Sequence, residues 1–138
     1  MAYRWYADES VLGLGKLLSR TREDITYPGH HGCPVLQLGT PDTDWMPYVA
    51  AQGWAAIHRD KRIRTRPAEL KVFQDYGLRT IMLGGKKDMS SRDQCELMLR
   101  LWVQLENLID RLGPGPWSLT VTTRGITETP WRPVNEAL

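Results

Sequence analysis

Two cysteines, a single phenylalanine and no long apolar run are the first constraints this chain imposes. Cys33 and Cys95 are too few and too unpatterned for a disulfide framework, and no second Cys or His pair stands at ligand spacing from His30, His31 and Cys33 to complete a zinc site. A membrane span needs roughly 20 consecutive apolar residues, and the lack of one excludes a helical membrane protein. No phosphate loop of the nucleotide-hydrolase type occurs, nor a dinucleotide fingerprint, since Gly13 and Gly15 have no third glycine in register. Excess charge is scarce too: 18 Lys and Arg against 16 Asp and Glu leave +2, so the whole molecule is no electrostatic glove for a polyanion. The opening residues show no basic segment, apolar stretch and small-residue cleavage site, which makes a reducing cytoplasm the expected location.

What remains is an ordinary globular composition, 138 residues with 41% hydrophobic and 25% charged, enough to bury one continuous core. The expected layout is one domain over residues 1–126 and a tail over 127–138, loose after Glu128.

The patterning alternates strands with helices. A strand over residues 3–7 leads into a helix from about Ser10, with Val11, Leu12, Leu14, Leu17 and Leu18 on one face. A short strand over 24–27 and a Gly- and Pro-rich loop over 28–40 follow. Thr40 is read as a cap, Pro41 as the first helical residue, and the helix runs to Gly53. A strand over 54–58, a helix from Pro67 to Gly77 and a strand over 78–83 come next. Ser91-Arg92-Asp93-Gln94 reads as a capping box opening the longest helix, which Gly113-Pro114-Gly115-Pro116 ends before a last strand over 117–123. This alternation predicts an α/β fold with a largely parallel sheet of about five strands covered on both faces.

In such sheets ligands bind outside the carboxyl ends of the strands. Asp8 and Asp60 each stand just past a strand, and Asp42 opens the helix between them, with Asp44 able to take its place. Singly, each has an ordinary explanation: helix cap, first-turn carboxylate, partner of nearby cations. Together they suggest one acidic cleft. Two carboxylates about 4 Å apart repel by roughly 4 kcal/mol at an effective dielectric near 20, so three favour proton uptake or a hard cation with oxygen ligands. Mg²⁺ or Mn²⁺ and phosphodiester chemistry are the expectation. Beside the cleft, Arg59-Asp60-Lys61-Arg62-Ile63-Arg64-Thr65-Arg66 carries five cations and one acid. Of the six tryptophans, Trp45 and Trp54 are assigned to the packing of the second helix on the sheet. Trp5, Trp102, Trp117 and Trp131 are left for a partner surface.

Tyr6-Ala7-Asp8-Glu9-Ser10, then Gly39-Thr40-Pro41-Asp42-Thr43-Asp44-Trp45, then His58-Arg59-Asp60-Lys61-Arg62-Ile63-Arg64, then Leu83-Gly84-Gly85-Lys86-Lys87, in that order and spacing, resemble the PIN-like proteins. Within them the chain is most similar to the small bacterial branch related to VapC-type toxin ribonucleases. The resemblance implies a three-layer α/β/α sandwich and a metal-dependent endoribonuclease, the toxin of a toxin-antitoxin pair, with RNA as substrate, a cognate antitoxin as partner and a homo-oligomer possible. It implies that Asp8, Asp42 and Asp60 hold Mg²⁺ or Mn²⁺, with Glu9 ordering a water behind them. Lys61, Arg62, Arg64, Lys86 and Lys87 become candidate phosphate contacts. The chain departs from the better-known pattern where a fourth acid is usual, for Lys86 and Lys87 stand there and Asp88 only afterwards. Two alternatives stay open: a non-catalytic PIN-like module that binds RNA or protein, and a receiver-like domain that accepts phosphate on Asp60.

Overall fold

The first strand is only Trp5–Ala7 (β1), yet all three residues are buried, because its two faces meet different helical layers. The structure is a computed structural model and describes residues 2–86 and 88–134, with the Arg64 side chain left out. After β1 come a 3-10 turn over Glu9–Val11, α1 (Leu12–Ser19), β2 (Ile25–Thr26), α2 (Asp42–Gln52) and β3 (Ala55–His58). Then follow α3 (Arg62–Thr65), α4 (Pro67–Tyr76), β4 (Arg79–Leu83), α5 (Ser91–Leu112), β5 (Trp117–Thr122) and β6 (Gly125–Glu128). The sheet runs in the order β2-β1-β3-β4-β5-β6, parallel throughout except for the β5–β6 pair.

Alternation along the strands separates two cores. Trp5, Ala7, Ile57, Ile81, Leu119 and Val121 face α1 and α5. Tyr6 and Ala56 face the other way, onto Trp45, Met46 and Val49 of α2 and Phe73 of α4. This is the α/β/α sandwich predicted. The helix stops fall at the expected glycines, Gly53 and Gly77 adopting left-handed φ of 75° and 69°. Gly15 has a packing reason, since a Cβ there would lie 2.8 Å from Ala7 Cβ. Its absence lets α1 press onto the end of β1, just before Asp8.

Several expectations need correction. Six strands form, not about five: Thr122 and Gly125 close a tight hairpin, and residues 127 and 128, assigned to the tail, end β6. A one-turn helix, α3, interrupts the basic run, anchored by the fully buried Ile63. Thr40 does not cap α2, because its hydroxyl donates to Gln37 O at 2.7 Å, and Pro41 stands at the cap position itself. Ser90 rather than Ser91 caps α5, accepting from Asp93 N at 3.1 Å. Trp5, Trp102 and Trp117 offer no partner surface: they are 0%, 4% and 4% exposed. The Trp5 and Trp102 rings lie 4.5 Å apart, with the Arg22 guanidinium 4.5 Å from the Trp102 ring. Trp131 packs edge-on to Phe73 at 5.1 Å. Trp45 and Trp54 do pack the second helix on the sheet. No helix among the described residues is long and apolar enough to cross a membrane.

Candidate active site

The chain leaves β1 for β2 on one side and returns past β1 to β3 on the other, so the β1–β3 boundary is the switch point of the sheet. Asp8 and Asp60 stand at the carboxyl ends of those two strands. The Asp8 N–H donates to Ile57 O at 3.0 Å, which extends the β1–β3 pairing to the acid itself. Asp8 is 4% exposed. Its Oδ1 accepts from Ser10 N at 3.0 Å and from the Ser10 hydroxyl, so Asp8 also caps the 3-10 turn. Burial raises its pKa to about 7; the Ser10 hydrogen bonds oppose that rise, and the charges of Asp42 and Asp60 add to it. The charges of Asp42 and Asp60 thus both reach Asp8.

Asp42 enters from the first turn of α2, half-buried, its Oδ1 accepting from Trp45 Nε1 at 2.8 Å. Asp44 is exposed in the same turn, and the α2 charge felt at Asp8 is that of Asp42. Asp60 is gripped by Arg62: Nε lies 2.8 Å from Oδ1 and 3.0 Å from Oδ2, and Nη2 lies 2.7 Å from Oδ2. Those hydrogen bonds hold the Asp60 pKa below the usual carboxylate value. Glu9 is exposed, and its Oε1 accepts from Gly39 N and ties down the long loop.

Sequence reasoning missed three contributors. Ser10 was read only as a helix start, yet its Oγ donates to Asp8 and accepts from Arg59 N at 2.9 Å. A hydroxyl two residues past a strand-end Asp was the available signal. Tyr6, on the α2 side of β1, is buried, and burial together with the charges of Asp8, Cys33, Glu9 and Asp42 raises its pKa. Arg59 spans from the end of β3 to the loop after β4, its Nη2 donating to Lys86 O and its Nη1 lying 3.9 Å from Met89 Sδ. Nothing in the sequence distinguished it from its basic neighbours.

Beside the acids, Arg59, Lys61, Met82, Leu83, Gly84 and Gly85 line an open cleft of about 550 Å³ at the carboxyl ends of β3 and β4. A Cβ on Gly84 would lie 3.1 Å from Thr122 Cγ2, so glycine keeps the cleft floor tight against β5. Lys61 is exposed where it lines the cleft, Lys86 is exposed in the loop after β4, Arg64 lies in α3, and Lys87 falls outside the described residues. A second cleft of about 540 Å³ lies at the opposite, amino ends of β3, β4 and β5. It lacks the acids and is not the candidate site. His30, in the long loop, has its Nδ1 accepting from Gly32 N at 3.1 Å.

For a divalent cation the residues fit in charge but not in arrangement. A buried carboxyl flanked by two others is what such an ion stabilises. Yet among the described residues no group of three or more His, Cys, Asp or Glu converges as a ready ligand set.

With this geometry in place, the comparison with known families is decisive for the fold: the PIN like domain family matches residues 4–85, which span β1 to the end of β4 and include Asp8, Asp42 and Asp60. The chain belongs to the PIN-like family. No curated protein and no solved structure matches it significantly.

Proposed function

We propose that the protein is an endoribonuclease that cuts RNA at the Asp8–Asp42–Asp60 cleft with Mg²⁺ or Mn²⁺. The observation that carries this reading is Asp8 itself, buried at the switch point with two more carboxylates acting on it. Family membership agrees with a nuclease role. A divalent ion, when bound, supplies an activated water and neutralises charge on the phosphoryl group. The chain's own part is to fix Asp8 through Ser10, to present Asp42 and Asp60 from α2 and β3, and to line the neighbouring cleft with Arg59 and Lys61. Lys61, Arg64, Lys86 and Lys87 are the proposed phosphate contacts, which would set register on the strand without reading sequence. Within the family we assign the chain to the VapC-like toxin branch, acting in the cytoplasm and held in check by a partner antitoxin, on the likeness of its four motifs.

A second reading has a specific observation behind it. Arg62 neutralises Asp60, and a site whose acid is permanently engaged would bind RNA without cutting it. The receiver-like alternative shares the strand order 2-1-3-4-5 of doubly wound sheets, but both Asp60 oxygens are engaged by Arg62 and the family match is to PIN-like proteins.

Total RNA incubated with the protein, with and without Mn²⁺ and chelator, separates these readings. The nuclease gives Mn²⁺-dependent fragments with 5′-phosphate and 3′-hydroxyl ends. RNA retention in chelator with no fragments in Mn²⁺ would leave the binding module, and 2′,3′-cyclic phosphate ends would rule out attack by an activated water.

A further inference from the structure

We propose that His30 is a proton-operated latch on the long loop over residues 28–40: neutral, it holds the loop through Gly32, and protonated, it releases that turn and bonds to β2 instead. The Gly32 N–H donates to His30 Nδ1 at 3.1 Å. A backbone N–H can only donate, so Nδ1 carries a lone pair and the ring proton sits on Nε2. Within reach of the same nitrogen is the Thr26 hydroxyl, also at 3.1 Å and fully buried in β2. A hydroxyl gives or takes a hydrogen bond by rotating. An imidazolium has hydrogens on both nitrogens, so its Nδ1–H would oppose the Gly32 N–H and turn to the Thr26 oxygen. The two protonation states favour different partners, one in the loop and one in the sheet.

The loop is placed to respond to this exchange. His30 N donates to Tyr27 O at 3.0 Å and Cys33 N to His30 O at 2.9 Å, so residues 30–33 close one turn with Gly32 inside it. A Cβ on Gly32 would collide with the Tyr3 phenol, which shows how closely the turn is pressed onto the chain before β1. Beyond it Cys33 and Leu36 are buried in the α2-side core, and Gly39 is tied to Glu9, the residue after Asp8. Around the imidazole stand the rings of Tyr3, Tyr27 and His31, with centroids 5.9, 4.8 and 4.1 Å away. Arg22, Glu23 and His31 are the charged or titratable groups that share its cavity of about 320 Å³ besides Tyr3. Arg22 is engaged by Asp24 and Glu106, while Glu23 favours the imidazolium. Against the imidazolium work burial first and then His31, which hold the His30 pKa below its ordinary 6.5. The latch is therefore closed at neutral pH and opens as the pH falls below that value. It works whether or not the acidic cleft cuts RNA.

Nitrogen-15 NMR of the histidine rings, with hydrogen exchange at the Gly32 amide corrected for its intrinsic pH dependence, tests this on the full chain from about pH 8 to about pH 5. At the upper end His30 should show the Nε2–H tautomer. As its ring takes up a proton, the protection of Gly32 should fall about three- to ten-fold, as for the loss of one hydrogen bond. His30→Asn can place an amide oxygen where Nδ1 stood and cannot titrate, so its Gly32 protection should stay level over the same range. If that variant does not fold, the wild type still decides, because the loss must follow the His30 ring and not the His31 ring or the cleft acids. A proton on Nδ1 at the upper pH, level protection in the wild type while His30 titrates, or an equal fall in His30→Asn would each overturn the latch.

Discussion

Ser10 Oγ accepts a hydrogen bond from the backbone N–H of Arg59 at 2.9 Å, tying the 3-10 turn that follows β1 to the residue after β3. The same hydroxyl donates to Asp8 Oδ1. One serine thus aligns the two strand ends that carry the outer acids. Ser10→Ala should raise the Asp8 pKa further, because it removes a hydrogen bond that holds it down. A carboxyl-carbon NMR titration checks this, and an unchanged midpoint would contradict it.

Asp8 also makes stability depend on pH with a defined sign. Its folded pKa is about 7 against an ordinary value of 3.8, so between those pH values the folded state keeps a proton that the unfolded state has released. Stability therefore falls as pH rises through this window and levels off above it. Asp8→Asn abolishes the cost: the variant should be more stable than the wild type at pH 8, by a few kcal/mol at about 1.4 kcal/mol per pH unit. The gap should close near pH 4. Urea unfolding at the two pH values measures it. Asp60 works the other way, its depressed pKa contributing stability that is lost as pH falls into the acid range.

Glu9 is predicted to govern the loop rather than the chemistry's innermost ring. Glu9→Ala leaves the Gly39 N–H without its carboxylate. Hydrogen exchange at Gly39 and proteolysis within residues 28–40 should both accelerate, while global stability changes by no more than about 1 kcal/mol. A loop protected as well as in the wild type would show that the contact does not hold it.

Trp102 distinguishes core from partner surface. Buried between Trp5 and Arg22, it should cost roughly 3–5 kcal/mol when replaced by alanine. A change within about 0.5 kcal/mol would be that of a surface side chain.

Much of this was legible in the chain because it follows from local rules. The α/β alternation, the glycine stops at Gly53 and Gly77 and the placement of Asp8 and Asp60 at strand ends depend on short-range periodicity and backbone conformation. Trp5, Trp102 and Trp117 were misread because indole rings suit cores and interfaces equally, and only packing such as that of Trp5 on Trp102, nearly a hundred residues apart, decides between them. The strand β6 escaped because Gly-Ile-Thr-Glu has one strongly apolar residue, and its hydrogen bonds come from its neighbour β5. Arg62 stands among the candidate phosphate contacts, and the sequence does not single it out from the neighbouring cations as the partner of Asp60. Its grip on Asp60 depends on how the loop after β3 turns into α3, which no spacing rule encodes.

The most direct test sets Asp8→Asn beside the wild type on total RNA in Mn²⁺, with circular dichroism to show that both are folded. The account predicts cleavage lowered at least about a hundred-fold in the variant, as for loss of a group central to the chemistry. Undiminished cutting by folded Asp8→Asn would contradict it.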